Sequence, residues 1–221
     1  MARKIKISNE QLKRFARKEH KRKQDIRAKR MYYLIICEGE ETEPNYFEGL
    51  KQDLPKGVLT SYQIDIEGTG RNTQSLVDEA IRLKAVYEKN TGRSIDRLWV
   101  VFDRDSFAAN DFNAAILRCE NNQPIIGCAW SNEAFELWYL LHFHYYQNAM
   151  SRQQFQGLIE ENLQGFIGAD YRYQKNSTVM YDLLKTHGSI DNAIRNAKSL
   201  AATYGTRQTM PNIIRVRWCG N

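Results

Sequence analysis

The chain contains 221 residues, 42% of them hydrophobic, and has a formal net charge of +6. This length and composition suffice for one domain with a full core, together with a helical addition. The four cysteines show neither Cys-x-x-Cys spacing nor a secreted disulfide framework, so we predict reduced thiols. No apolar run is long enough to cross a bilayer, and the basic N-terminus lacks an apolar signal core, so we expect a cytoplasmic protein with no membrane partner.

Most of the positive charge lies in the first thirty residues. They contain thirteen Lys or Arg and three acids, which leaves the rest of the chain with a net charge of −4. Because an acidic body repels a polyanion, we predict that a basic arm over residues 1–30 pairs with nucleic-acid phosphates. The alternative is a solubilising tail. The predicted contacts in the arm are Arg14, Arg17, Lys18, Lys21, Arg22 and Lys23.

Residues 33–37 are apolar at every position and lead directly into a group of acids. Glu38, Glu40, Glu41 and Glu43 follow, with Gly39 among them. An all-apolar strand is typical of the centre of a parallel α/β sheet. The carboxyl end of such a strand is where these folds place their ligands. A helix with a proline near its start is predicted next.

A turn at Pro55 and Gly57 is predicted to precede a strand at residues 62–66, where apolar and polar residues alternate. The loop at residues 68–73 then leads into a helix. It either holds phosphate through its amides and Arg71, or is an ordinary strand-to-helix turn, since it matches no phosphate-loop spacing. Arg71 is therefore a predicted nucleic-acid contact. The apolar face of the helix is predicted to be Leu76, Val77, Ala80, Leu83 and Val86.

A second apolar run, residues 98–102, leads into Asp103, Arg104 and Asp105. Clustered carboxylates repel one another unless a cation neutralises them, and Mg²⁺ and Mn²⁺ prefer carboxylate oxygens. The two strand ends together predict one Mg²⁺ or Mn²⁺ site on Glu38, Asp103 and Asp105. The alternative is that each acid caps a helix or lies in solvent. Arg104 is a further predicted nucleic-acid contact.

Repeated alternation of strands and helices continues with a helix at residues 111–120 and a strand at 124–130. This order predicts an α/β fold in which helices flank a parallel sheet. A helix is predicted over residues 133–143, with Glu133 and Glu136 on one face. Glu136 lies among apolar residues, so it is either a second metal ligand or basic-partner contact, or a surface residue.

His142 and His144 are two residues apart, which places them on different faces of a helix and excludes a zinc pair. His142 is predicted to be a packed or solvated histidine rather than a proton donor. Further helices are predicted at residues 151–162, 178–184 and 190–204, and residues 213–221 alternate like an edge strand or a frayed tail. Arg172 and Lys175 are possible substrate contacts. We predict an arm at 1–30, an α/β domain at 31–148 and a packed helical extension at 149–221.

Three segments carry a family resemblance. An apolar strand ending in Glu38 and Gly39, followed later by one ending in Asp103-Arg104-Asp105, resembles the Toprim domain. With the segment from Ser131 to Phe143, rich in aromatic residues, these motifs occur in the order found in the RloB-like family. The resemblance covers roughly residues 30 to 205. It implies a Toprim-like fold in a bacterial protein encoded beside restriction-modification genes.

The resemblance implies a metal-dependent nuclease, or nuclease-like module, that acts in defence against phage. By position, Glu38 matches the Toprim glutamate with general acid/base duty, and Asp103 and Asp105 match the metal-binding Asp-x-Asp. Many Toprim domains carry an acid where this chain has Thr42. Glu43 is therefore a weaker metal candidate, and Glu40 weaker still. The catalytic residues expected are Glu38, Asp103 and Asp105, with Glu43 and Glu136 as additional metal ligands.

The expected activity is hydrolysis of phosphodiesters in DNA or RNA, transfer RNA included. One alternative is a Toprim-like subunit of a restriction or abortive-infection system that binds nucleic acid or nucleotide without turnover. Another is a nucleic-acid adaptor in which only the basic arm matters. An unregulated nuclease would harm its host, so an activating partner or trigger is expected. A dimer formed through the helix at 133–143 is one possibility, and burial of that helix in the core is the other.

Overall fold

The computed structural model describes residues 9, 10, 13, 30–70, 73–104 and 109–203. By contact the chain separates into two compact units, Met1–Arg30 and Met31–Asn221. In the first unit, residues 9, 10 and 13 have helical conformation. Several predicted features lie outside the described residues, namely Arg14, Arg17, Lys18, Lys21, Arg22, Lys23, Arg71, Asp105 and the segment 213–221.

The described residues of the second unit form a four-stranded parallel sheet. Its strands are β1 (Met31–Cys37), β2 (Tyr62–Gly68), β3 (Arg97–Asp103) and β4 (Gly127–Ser131), in the order β2-β1-β3-β4. The two apolar runs that precede the acids are therefore the two central strands. This confirms the predicted parallel sheet.

The described part of the second unit also contains eight helices. They are α1 (Thr42–Asp53), α2 (Lys56–Ser61), α3 (Thr73–Thr91), α4 (Ala109–Asn121), α5 (Glu136–Leu141), α6 (Arg152–Ile167), α7 (Met180–His187) and α8 (Ile190–Thr203). Helices α1 and α2 both lie between β1 and β2, α3 lies between β2 and β3, and α4 lies between β3 and β4. The last three form the predicted helical C-terminal portion. Helices α6 and α8 pack on α5, and α7 packs on α1. No helix in these ranges has the length and apolar character needed to span a membrane.

The core explains why the apolar patterns form these elements. Every second residue of β1 beginning at Leu34 is buried, as is Phe102 of β3, which meets Phe112 of α4 edge to face. On α3 the predicted apolar face is buried over Leu76, Val77 and Ala80, whereas Val86 is exposed. Burial of complementary stripes on sheet and helix is the main force that holds these layers together.

An aromatic cluster joins the sheet layer to the C-terminal helices. Tyr46 of α1 lies at its centre, with ring centroids 5.7 Å from Phe135, 5.8 Å from Tyr139 and 5.5 Å from Tyr181. All four side chains are buried. The edge-to-face contacts add to the burial of apolar area, so α1, α5 and α7 are held in fixed positions.

Two predicted elements are wrong in detail. The turn at Pro55 and Gly57 is the short helix α2, which begins after Pro55. The helix predicted from residue 133 begins only at Glu136, because Glu133 has a φ of 63° in the left-handed region, which a right-handed helix cannot include. A tight turn thus joins the end of β4 to α5 and sets the positions of Glu133 and Glu136.

Candidate active site

The carboxyl ends of all four strands lie at one edge of the sheet, and the candidate site lies at that edge. Strand β2 pairs with one side of β1, and β3 pairs with the other side. The connections that follow β1 and β3 therefore run in opposite directions, and they diverge between these two strands. Crevices at such a switch point are the usual ligand sites of open α/β sheets. Glu38 follows β1 and Asp103 ends β3, so both predicted acids lie at the switch point.

A direct hydrogen bond joins these two acids. The backbone N–H of Asp103 donates to Glu38 Oε2 at 2.9 Å, and the backbone N–H of Glu38 donates to the Val101 carbonyl, also at 2.9 Å. The predicted meeting of the two strand ends is therefore observed. These contacts fix the orientation of the Glu38 carboxylate relative to the end of β3.

A cavity of about 460 Å³ opens beside this pair. Six acidic residues line it: Glu40 and Glu41, which are exposed, and Glu38, Glu43, Asp103 and Glu136, which come from separate elements. Two cations, Arg152 of α6 and Lys175 of the loop between α6 and α7, complete the charged lining. The structure thus brings together all the described acids that were predicted as metal ligands.

Glu43, in the first turn of α1, is only 4% exposed. Its carboxylate lies over Gly39, where an added Cβ would be 2.3 Å from Glu43 Oε2. Burial raises the pKa of Glu43, and the nearby Glu136 carboxylate raises it further; the backbone amides of Glu43 and Gly39 and the charge of Lys175 oppose this only in part. A side chain at position 39 would therefore displace the Glu43 carboxylate from its place beside the end of β1. Glu40, by contrast, is exposed.

Asp103 carries the largest electrostatic cost in the site. Its Oδ1 is buried and has no hydrogen-bond partner, and its Oδ2 lies 4.0 Å from Arg152 Nη2. Burial raises the pKa of Asp103 well above its usual range, with Glu43, Glu136 and Glu38 adding to the effect, and the Phe135 backbone amide only partly offsets this. A buried carboxylate oxygen without a partner is the position from which a cation would be held.

Glu136 is the first residue of α5 and is 2% exposed. The Tyr173 hydroxyl donates to its Oε1 at 3.0 Å. The alternative prediction, a surface glutamate, is therefore wrong, because the carboxylate points into the cavity. Glu133 does not share a helical face with it; its backbone carbonyl accepts a hydrogen bond from Arg152 Nη2 at 3.4 Å.

The acidic side chains surround a cavity, but their carboxylates do not converge on one point. In the described ranges, no group of three or more His, Cys, Asp or Glu side chains is placed so that it could hold a metal ion as it stands. The donor set is nonetheless chemically suited to a hard divalent cation, because it consists of carboxylate oxygens and includes the unpartnered Asp103 Oδ1. Asp105, the second acid of the predicted Asp-x-Asp, lies outside the described residues.

His142 is a packed residue, as predicted. It is buried, and its Nδ1 lies 2.9 Å from the Trp138 carbonyl, while burial lowers its pKa to about 4. Arg104 is half-buried, and its backbone N–H donates to the Ser131 carbonyl at 2.8 Å. Arg172 is exposed and bonds the carbonyls of its own loop, so it does not line the cavity.

Sequence reasoning missed three residues that shape the site: Arg152, Tyr173 and Asn176. All three lie in the helical portion that follows the sheet, and none belongs to a recognisable motif. Arg152 and Tyr173 contact the acids Asp103 and Glu136, whereas Asn176 contacts Thr42 and Asn45. A local pattern cannot reveal them because their roles depend on how α6 and α7 pack against α1 and α5. Lys175 was a possible substrate contact, and the structure places it in the lining of the cavity.

The fold and site define an α/β protein with a buried acidic cavity at the switch point of a parallel sheet. The sequence profile described as RloB-like protein matches residues 33–215. The chain therefore belongs to the RloB-like protein family, as its motifs predict. Neither a curated protein nor a solved structure matched the chain.

Proposed function

We propose that this protein is a Mg²⁺- or Mn²⁺-dependent nuclease that hydrolyses phosphodiester bonds in DNA or RNA. The observation that carries the proposal is the Asp103 carboxylate, with a buried, unpartnered Oδ1 in a cavity shared with Glu38, Glu43 and Glu136. Buried carboxylates without compensation are unfavourable, and their pKa values are raised here for that reason. Such a cluster favours the binding of a divalent cation.

The carboxylate oxygens present suit a divalent cation, which Asp103, Glu43 and Glu136 would hold once their side chains converge, with Glu38 beside them. A cation bound there would activate water and neutralise charge on a phosphate. Glu38 is oriented by the Asp103 amide, so its carboxylate is positioned to take a proton from an attacking water. Carboxylates from the ends of two strands and the starts of two helices give a rigid arrangement, which favours catalysis over loose binding.

The RloB-like resemblance leads us to propose a cytoplasmic role in bacterial defence against phage, with a partner or trigger that controls the activity. A second candidate is a Toprim-like subunit that binds nucleic acid or nucleotide without turnover. It is favoured by one observation: in the described ranges, the acids do not form a closed group of three metal ligands.

The test is a cleavage assay on the full chain. Plasmid DNA, single-stranded DNA, total RNA and transfer RNA are incubated with the protein in Mg²⁺, Mn²⁺ or EDTA. We expect cleavage that requires metal and is lost in Asp103→Asn and Glu38→Gln. Asp78→Asn is the matched control, because Asp78 lies on α3, is exposed and pairs with Arg118 outside the cavity.

Cleavage that survives in Asp103→Asn, or that persists in EDTA, contradicts the proposal. Intact substrates under every condition, combined with tight nucleic-acid binding, support the binding subunit instead. Both variants should show the same near-native circular dichroism as the wild type, so that lost activity is not lost folding.

A further inference from the structure

The loop of residues 171–179, between α6 and α7, is attached to the acidic cavity at two points. The Tyr173 hydroxyl donates to Glu136 Oε1 at 3.0 Å. Farther along, Asn176 Oδ1 accepts from the Thr42 hydroxyl at 2.6 Å, and its carbonyl accepts from Asn45 Nδ2 at 2.9 Å. Lys175 and Asn176 both line the cavity. These contacts therefore fix the loop to Glu136 at the start of α5 and to the N-terminal turn of α1.

The backbone of this loop is strained where it meets α1. Asn176 has a φ of 66°, in the left-handed region that non-glycine residues seldom adopt, although Asn tolerates it better than most. Such a conformation is unfavourable and persists when surrounding contacts determine it. Here the contacts are the hydrogen bonds to Thr42 and Asn45. The consequence is a defined position for Lys175, the preceding residue.

Lys175 differs from the other cation of the cavity. Arg152 is held by Asp103 and by the Glu133 carbonyl. Lys175 is exposed, and in the described part of the chain its ammonium makes no hydrogen bond and no ion pair within 4.0 Å, although its charge acts on Glu43. An exposed lysine that lines an acidic cavity without an ion pair is available to an anion that enters the cavity.

We propose that Lys175 binds a backbone phosphate of a nucleic-acid strand, and that Thr42 and Asn176 are positioning residues that hold it over the cavity. The inference rests on the proposed function and adds the contact that offsets repulsion between four acids and a polyanion. An ammonium is a compact charge that binds phosphate without reading bases. Lys175 therefore contributes affinity for DNA or RNA strands of any sequence.

The test measures binding separately from cleavage. Full-length protein carrying Asp103→Asn is titrated, in Mg²⁺, into short fluorescein-labelled single strands of DNA and of RNA, and anisotropy is recorded over a series of salt concentrations. Adding Lys175→Met should weaken binding about tenfold. The slope of log affinity against log salt should fall in magnitude by about 0.7, the value for one lost contact to a single strand.

Two further variants separate a phosphate contact from a purely structural role. Lys175→Arg keeps the charge, so it should keep the slope. Thr42→Val removes the hydroxyl that donates to Asn176, so it should weaken binding when Lys175 is present and have little effect when position 175 is Met. Lys185→Met is the matched control, because Lys185 lies on α7 and pairs with Asp53 outside the cavity.

The outcomes distinguish this inference from the proposed function. If wild-type protein cleaves nucleic acid but Lys175→Met binds the strands with unchanged affinity and slope, the inference is overturned and the nuclease proposal stands. The same conclusion follows if Lys175→Met only lowers the melting temperature. If no strand binds and no substrate is cleaved, both are overturned.

Discussion

Replacing Asp103 with Asn is expected to stabilise the folded protein while removing activity. Asp103 Oδ1 is buried without a partner, and three other carboxylates, Glu38, Glu43 and Glu136, raise its pKa in the fold. Asn has nearly the same shape and no charge. The substitution therefore removes repulsion without leaving a cavity.

The size of the effect follows from the cost of a buried polar group without a partner, about 1–3 kcal/mol. For a chain of this length, 1 kcal/mol changes the melting temperature by about 2–4 °C. Because the Asp103 side chain is 15% exposed, water reduces part of the cost, so we take the lower half of the range. The expected increase in melting temperature is about 2–8 °C near neutral pH.

The sign of the pH dependence provides the sharper check. A carboxyl whose pKa is raised by folding carries no penalty below its unfolded pKa of about 3.9, where both states are protonated. The penalty grows as pH rises through the raised pKa of the folded state. The difference in melting temperature between Asp103→Asn and wild type should therefore be small at about pH 4 and largest at about pH 8.

The assay is thermal unfolding in EDTA, followed by circular dichroism across this pH range. Asp78→Asn serves as the control, because its exposed ion pair with Arg118 is expected to be worth less than about 1 kcal/mol at any pH. An Asp103→Asn protein that melts at or below the wild-type temperature at about pH 8 would refute the reasoning, since it would show that the carboxylate is compensated in the fold.

Three further outcomes are expected from the same structure. Mn²⁺ at about a hundred times its dissociation constant should stabilise wild type by about 2.7 kcal/mol and Asp103→Asn by clearly less, measured as melting temperature; equal shifts would place the ion elsewhere. His142 has its pKa lowered from 6.5 to about 4 by burial, so its contribution is present above pH 6.5 and lost as pH falls through 4. Urea unfolding over this pH interval should show that the free energy of unfolding of the wild type falls by about 3 kcal/mol more than that of His142→Asn. An equal fall in both proteins would contradict the lowered pKa of His142. Gly39→Ala should reduce cleavage at least tenfold by displacing the Glu43 carboxylate. Gly157→Ala is the control and should leave cleavage unchanged, because an added Cβ there meets nothing within 4 Å. Equal activity of the two variants would argue against a role for Glu43.

The part of the site that sequence could predict is the part built from strand ends. Residues 33–37 and 98–102 are uniformly apolar, so their strands had to be central, and central parallel strands place their carboxyl ends together. Adjacency of Glu38 and Asp103 follows from this topology alone, and the structure confirms it through the hydrogen bond between them. The family assignment covers a longer stretch, residues 33–215, which includes both strand ends.

The remainder depends on contacts between distant parts of the chain. The predicted helix over 133–143 ignored the left-handed conformation of Glu133, which apolar periodicity does not encode. Tyr173 reaches Glu136 across 37 positions, and Asn176 reaches Thr42 across 134. Neither pair has a spacing that a pattern can reveal, because the helical portion must first dock on α1 and α5.

The four acids also show how the fold tolerates repulsion between the carboxylates of the site. They come from the loop after β1, the first turn of α1, the end of β3 and the start of α5, so their proximity exists only when all four elements are packed. The aromatic cluster around Tyr46 holds α1 and α5 together beneath the cavity, and its packing opposes the repulsion above it. Binding of the proposed cation would relieve this repulsion, so metal affinity and the stability of the metal-free protein would depend on the same free energy. A cluster that binds no metal would show no such linkage: Mn²⁺ would then leave the melting temperature unchanged.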